Sequence, residues 1–203
     1  DTRGHGKSPR GDKPFTIRQF AEDLRAFLDE QGIERADLLG FSDGGNVALI
    51  FAMRYPQRVD RLVLNGANLY SAGVKPSVQI PIILEYRITS FLAGRKKSGG
   101  KKKGKQEAAR KAELLGLMVN DPDIRPEELS ENRDPEFIRV PKLVIAGNKD
   151  MIKDEHTRLI YASLPNAQIR VMKGSHFIAK ESPDEFNRIV DEFLNDAKTG
   201  GSA

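Results

Sequence analysis

The sequence contains no cysteine and only three histidines among its 203 residues. Without cysteine there can be no disulfide, no thiol nucleophile and no cysteine-rich zinc site, and this composition fits a reducing compartment, so we expect a cytoplasmic protein. Three scattered histidines are poor material for a metal site. We therefore expect neither a metal nor any other cofactor.

Long apolar runs are absent as well. No uninterrupted hydrophobic segment approaches the roughly 18 residues that suggest a membrane span, and 31% of the residues are charged. We therefore expect a water-soluble chain that does not cross a membrane.

The formal charge of +4 has a local origin, since residues 95–105 (RKKSGGKKKGK) hold seven positive side chains and no acid. Clustered lysines can bind nucleic acid or an anionic membrane by releasing counterions. This run, however, is rich in glycine and has no aromatic residue on which bases could stack, which favours a solvated loop. We expect no nucleic-acid partner, and the sequence does not indicate an oligomeric state.

Helical and strand patterns alternate along most of the chain. Residues 16–32 place apolar side chains on one helical face, between a threonine that can cap the helix and a glycine that can end it. Strands are predicted within residues 36–42, 59–67, 141–150 and 167–176, and further helices within 44–56, 154–165 and 182–196. Such alternation predicts an α/β fold with a mostly parallel sheet flanked by helices.

Residues 69–138 interrupt this alternation. They contain an apolar segment at 78–94, the basic run, a helical pattern at 105–119 and an acidic stretch. An insertion between two strands of an open sheet is expected to cover the carboxyl ends of the strands, where ligands bind. We therefore divide the chain into a first core part (1–68), a helical lid (69–138) whose apolar segment lines the pocket, and a second core part (139–203).

The segment GFSDG at residues 40–44 fits G-x-S-x-G and lies between a short apolar strand and an apolar helix. In that setting the motif forms a sharp turn that presents the serine, with the glycines making room for the turn. A turn serine that only caps the next helix is the alternative. We identify Ser42 as the candidate nucleophile.

A serine nucleophile needs a base, and the base needs an acid that fixes its tautomer. Asp150 follows a predicted strand, and His176 follows the next one. The order Ser42, Asp150, His176 is the order of catalytic residues in hydrolases with this turn. Asp154 and Glu155 compete with Asp150, but they fall in the first turn of a predicted helix, whose dipole favours acids. We assign structural roles to His5 and His156.

Four segments together resemble the α/β-hydrolase superfamily of serine hydrolases: DTRGHGKS at 1–8, GFSDGG at 40–45, AGNKD at 146–150 and KGSHF at 173–177. GFSDGG followed by LNGAN is similar to the biphenyl hydrolase-like (valacyclovir hydrolase) branch. The resemblance implies that the Asp43 carboxylate binds a substrate amino group. It also implies that strands and a loop with one oxyanion donor precede the first residue given, so we expect an N-terminally incomplete fold.

These observations predict a cofactor-independent hydrolase that cleaves a small carboxylic ester, with an α-amino acid ester as the narrower candidate. Ser42, His176 and Asp150 would form the catalytic triad, and the backbone N–H of Asp43 would serve the oxyanion hole. We expect Phe41 and Asp43 to contact the substrate. Acyl transfer, hydrolysis of a carbon–carbon bond, or a noncatalytic hydrolase-fold binding protein remain as alternatives.

Overall fold

The computed structural model describes residues 1–94 and 102–199. Within these ranges four strands form one sheet in the order β1-β2-β3-β4, and each neighbouring pair is parallel. The strands are β1 (Ala36–Phe41), β2 (Val59–Asn65), β3 (Lys142–Gly147) and β4 (Ala167–Met172). The predicted α/β fold is confirmed, and all four carboxyl ends meet at one edge of the sheet.

Helices occupy the connections between the strands. In the described part of the chain they are α1 (Ile17–Glu30), α2 (Asp43–Arg54), α3 (Pro76–Gly94), α4 (Lys102–Asn120), α5 (Pro126–Ser130), α6 (Pro135–Arg139), α7 (Asp154–Ser163), α8 (Ile178–Glu181) and α9 (Pro183–Thr199). None of these helices is both long and apolar enough to cross a membrane.

Helix α1 begins and ends where its sequence predicts. The Thr16 hydroxyl accepts a hydrogen bond from the Gln19 N–H at 3.1 Å, which satisfies one of the unpaired donors of the first turn. Gly32, just past the end, has φ +64°, a conformation that favours glycine. Between these ends, the apolar face of α1 packs into the core.

The two central strands, β2 and β3, are largely buried on both faces, as expected for parallel strands covered by helices, whereas the outer strands β1 and β4 are partly exposed. On one face, Leu62 and Leu64 of β2 pack with α1 and α2. On the other, Val63 packs with Ile145 of β3 and Phe186 of α9. All six residues of β3 are buried. This rigid centre fixes the loops that leave the carboxyl edge.

Helices α3 to α6 all lie between β2 and β3, and α3 and α4 pack against each other. Ile80, Leu84 and Ile88 on one face of α3 are 63%, 59% and 51% exposed. This face is open to solvent, and the expectation that the apolar segment lines the pocket stays a prediction. Of the basic run, residues 95–101 lie outside the described residues. The division of the chain at residues 69 and 138 stays a prediction.

Candidate active site

The turn around Ser42 joins the carboxyl end of β1 to α2. Ser42 has φ 54° and ψ −123°, and such a conformation costs a residue other than glycine about 1–3 kcal/mol. Its N–H donates to the carbonyl of Asn65 on the neighbouring strand at 2.8 Å, and its own carbonyl accepts from the N–H groups of Gly45 and Asn46. These bonds hold the half-buried serine at the sheet edge in a strained conformation.

Close backbone approach explains one glycine of the motif. A Cβ at Gly40 would lie 2.2 Å from the carbonyl oxygen of Gly44, so a larger residue would push α2 away from β1. Gly45 is also confined, since its Cβ would lie 3.0 Å from the Cβ of Ala67. A Cβ at Gly44 would meet nothing within 4 Å among the described residues. Gly40 and Gly45, rather than Gly40 and Gly44, make room for the turn here.

Asp150 and His176 are brought together by the loops that follow β3 and β4. Nδ1 of His176 donates to Oδ1 of Asp150 at 2.7 Å, and both side chains are buried. The N–H of Ile152 donates to the same oxygen at 2.9 Å. With Nδ1 bound in this way, the neutral ring carries its acceptor lone pair on Nε2, which is the form that a general base requires.

The two loops are also joined through their backbones. The N–H of Lys149 donates to the Gly174 carbonyl at 2.9 Å. A Cβ at Gly147 would lie 2.1 Å from the Ser175 carbonyl oxygen, so the approach requires glycine at that position. The separation between Asp150 and His176 is therefore set by backbone contacts as well as by their own hydrogen bond.

Glu181 stabilises the loop that carries His176, a role that the sequence analysis missed. Its carboxylate accepts from both the N–H and the hydroxyl of Ser175, at 2.8 and 2.5 Å. These hydrogen bonds lower the pKa of Glu181. The six-residue separation between the two residues matches no capping pattern, so only the folded loop reveals the contact.

The serine turn and the histidine loop are neighbours. The ring of Phe41, next to Ser42, lies 4.8 Å from the ring of His176, centroid to centroid. Gly66, which follows Asn65 at the end of β2, has φ +63°, and a Cβ there would lie 2.7 Å from Cε1 of His176. The three sequence-predicted residues Ser42, Asp150 and His176 thus occupy one edge of the sheet.

Asp43 is the first residue of α2, so its N–H has no acceptor within the helix. Burial raises the pKa of its carboxyl, an effect that His5 and His176 oppose. Among the side chains that the structure describes, no Lys or Arg forms a salt bridge with it. Burial also raises the pKa of Asp121, just past the end of the inserted α4; the charge of Arg18 opposes this shift and the charge of Asp43 adds to it. The fold therefore brings a second carboxylate, missed in the sequence, into electrostatic contact with Asp43.

The other two histidines lie in structural settings. His5 is exposed and stacks on Phe15 at 5.9 Å. His156 is buried in the first turn of α7, and its Nε2 accepts the Leu69 N–H at 3.0 Å. Within the described ranges, no three His, Asp or Glu side chains converge in a way that could hold a metal ion.

Comparisons with known proteins identify the family of the chain. A family model described as alpha/beta hydrolase fold matches residues 1–95. The chain is 30% identical to 2-hydroxymuconate semialdehyde hydrolase of Pseudomonas putida, over 97% of its own length and 76% of that protein. The chain belongs to the alpha/beta hydrolase superfamily of serine hydrolases.

The chain is also similar to a human protein and to a solved bacterial structure. It is 26% identical to the serine hydrolase BPHL of Homo sapiens, over 96% of the chain and 67% of that protein. The crystal structure of a hydrolase from Pseudomonas aeruginosa superposes with a TM-score of 0.70 at 27% identity, over 96% of this chain and 78% of the other. The chain spans 66% of the length of an uncharacterized protein of Mycobacterium tuberculosis that it also matches.

Proposed function

We propose that the protein is a serine hydrolase that cleaves small carboxylic esters through an acyl-enzyme. The observation that carries the proposal is the hydrogen bond from His176 Nδ1 to Asp150 Oδ1, at the sheet edge where the strained turn presents Ser42. Strain at a single non-glycine residue is typical of a site where the backbone must aim one side chain.

In this mechanism the Ser42 hydroxyl attacks the ester carbonyl while His176 Nε2 takes its proton. The imidazolium then gives that proton to the leaving alcohol, and Asp150 stabilises the cation throughout. Water attacks the acyl-enzyme with His176 again acting as the base, which releases the acid and restores Ser42.

The backbone N–H of Asp43 stabilises the oxyanion of each tetrahedral intermediate. It is free of helical acceptors, and it lies at the positive end of the α2 dipole, where negative charge is favoured. One such donor contributes about 10²–10³-fold to turnover. We further propose that helices α3 to α6 act as a lid over this edge.

The narrower proposal is that the substrate is an α-amino acid ester whose ammonium binds the Asp43 carboxylate. It is supported by the partial burial of Asp43, by the absence of a salt bridge to it in the described residues, and by Asp121, which adds negative charge nearby. A charge-assisted contact of this kind contributes about 1.5–3 kcal/mol. It would favour amino esters by about 10–100-fold over uncharged analogues.

Covalent labelling tests the general proposal. A fluorophosphonate probe is expected to modify the parent protein at Ser42 and to leave Ser42→Ala unlabelled. Ser130→Ala, a serine on the exposed surface, is the matched control and should be labelled like the parent. A parent protein that is folded and unlabelled would favour the noncatalytic alternative.

Substrate discrimination tests the narrower proposal. Values of kcat/KM are compared for the valine and isovalerate esters of one alcohol, which differ in the amino group. The parent should prefer the valine ester, and Asp43→Asn should lose most of that preference while it still hydrolyses the isovalerate ester. Equal rates for both esters in the parent would leave a general carboxylesterase.

Carbon–carbon bond hydrolysis is the second candidate, because the relative at 30% identity is a 2-hydroxymuconate semialdehyde hydrolase. The same serine, histidine and aspartate would serve that reaction. Turnover of a meta-cleavage product at a higher kcat/KM than any simple ester would favour this candidate over the esterase.

A further inference from the structure

A short ladder joins the start of the inserted helices to the loop that carries Asp150. Residues 73–75 run antiparallel to residues 151–153. The contacts are Lys75 N–H to the Met151 carbonyl at 2.8 Å, Lys153 N–H to the Gly73 carbonyl at 2.9 Å, and a bridge between Val74 and Ile152. The acid loop, which follows β3, is therefore paired with residues that lie between β2 and α3.

Lys75 is the central residue of this ladder. In addition to its backbone bond, its ammonium group donates to the backbone carbonyl of Asp150 itself. Its own carbonyl accepts the N–H groups of Val78 and Gln79 at 3.0 Å, which starts the first turn of α3. One residue thus binds the acid loop through its amide and side chain and begins the helix through its carbonyl.

The ladder reaches the candidate triad in two steps. Ile152, which bridges to Val74, also donates its N–H to Oδ1 of Asp150. That oxygen accepts the hydrogen bond from His176 Nδ1. A displacement of Lys75 would move both the backbone carbonyl and the carboxylate of Asp150.

Helices α3 and α4 are tied to one another. Nε2 of Gln79 donates to the Met118 carbonyl at 3.0 Å, and Lys111 forms a salt bridge with Glu85 at 2.5 Å. Movement of this helix pair would therefore be transmitted to the N-terminus of α3. Lys75 lies at that N-terminus and contacts the acid loop.

We infer that Lys75 is a positioning residue that couples the α3–α4 helix pair to the orientation of Asp150 and, through it, of His176. The inference rests on the proposed function. It assigns no chemical step to Lys75, because the Lys75 ammonium contacts the backbone carbonyl of Asp150 and not its carboxylate. Truncating it removes that contact but keeps the backbone ladder, so we expect a looser His176 in a folded protein.

The test compares Lys75→Met, Lys75→Arg and the control Lys149→Met. Lys149 is exposed, adjoins Asp150 and makes no side-chain bond recorded among the described residues, so its loss removes an equal charge from the same loop. Lys75→Met should lower kcat for a small ester by about 2–30-fold with little change in KM, the range expected for coupling between sites. Lys75→Arg should recover most of the loss because it keeps a donor, and Lys149→Met should match the parent.

A second measurement reports on the hydrogen bond between His176 and Asp150 and does not depend on turnover. The proton on His176 Nδ1 should give a downfield ¹H NMR signal in the parent that weakens or moves in Lys75→Met and stays in place in Lys149→Met. The inference would be overturned by equal kcat in the parent and Lys75→Met, or by an equal loss of kcat in Lys149→Met. It would also be overturned if Lys75→Arg recovered none of the loss, or if the His176 proton signal were unchanged in Lys75→Met. A parent that fails to react with the fluorophosphonate would refute the proposed function instead, and the NMR comparison would still decide the role of Lys75.

Discussion

The ring of His176 and the carboxylate of Asp150 form a buried pair, with Nδ1 and Oδ1 separated by 2.7 Å. The contact oxygen also accepts the Ile152 N–H, so the carboxylate cannot rotate without breaking two hydrogen bonds. The aspartate therefore fixes the plane of the imidazole as well as its tautomer.

Asp150→Asn should reduce kcat by on the order of 10⁴-fold, because an amide that donates to Nδ1 leaves the ring in the wrong tautomer. Ester turnover by purified parent and variant measures this loss, and circular dichroism should show the same fold in both. The neighbouring carboxylate variant Asp154→Asn serves as the control and should keep parental activity. Parental kcat in Asp150→Asn would contradict the role assigned to Asp150.

Gly66→Ala should impair both stability and activity. The new Cβ would lie 2.7 Å from Cε1 of His176 at a φ of +63°, so the imidazole must move. A displacement of about 1 Å at a catalytic group costs up to about 10²-fold in rate.

Gly32→Ala separates the two effects. Gly32 has φ +64° and no atom within 4 Å of its Cβ position, so this variant has the same backbone strain, about 1–2 kcal/mol, without the contact. Thermal unfolding should show a loss in both variants, at least as large in Gly66→Ala because of the added contact, whereas only Gly66→Ala should lose activity. An active Gly66→Ala protein would mean that His176 can shift without cost.

Asp43→Asn should raise the melting temperature at neutral pH. Burial raises the pKa of Asp43 in the folded protein, so the folded state binds this proton more tightly than the unfolded state does. The resulting loss of stability is complete above the folded pKa and disappears as the pH falls below the unfolded value. The gain in Asp43→Asn should therefore shrink in acid, and a gain independent of pH would point to packing instead.

His156 should make the protein sensitive to mild acid. Burial, assisted by Lys153, lowers its pKa to about 4, so folding favours the neutral ring that accepts the Leu69 N–H. This stability is complete above the unfolded pKa of about 6.5. It falls by on the order of 3 kcal/mol as the pH drops through the folded value.

His156→Gln tests this directly, because its side-chain oxygen can still accept the Leu69 N–H but does not titrate. Urea unfolding of parent and variant at several pH values between 7 and 4 measures the difference. The variant should lose less stability over that interval.

Local sequence patterns were sufficient for the four strands, for helices α1, α2, α7 and α9, and for the placement of three candidate site residues. The Thr16 cap, the apolar face of α1 and the alternation of strands and helices depend on neighbours a few residues apart, and the structure contains them. Ser42, Asp150 and His176 each follow a strand, and parallel strands bring their carboxyl ends to one edge. Their common location at that edge could therefore be predicted from the order of elements alone.

Tertiary packing decided what the patterns did not contain. From the sequence, Lys142 would be expected to be an exposed charge at the start of a strand. It is instead fully buried, and its ammonium group donates to three backbone carbonyls. Burial lowers its pKa to about 8. From the sequence, the apolar face of α3 would be expected in the hydrophobic core, yet much of it is exposed. Burial depends on which elements cover a residue, and its own neighbours in sequence do not encode that.

The contact between Lys75 and Asp150 is the clearest case, since 75 residues separate them. The sequence determined the fold class, the strained serine turn and the order of the candidate triad, because each follows from backbone periodicity or from glycine at a close approach. Only the folded chain decided that Lys75 binds the acid loop, that Asp121 lies near Asp43 and that Glu181 supports the histidine loop. Those contacts form between loops that meet after the sheet has assembled, so their geometry depends on the positions of several elements at once.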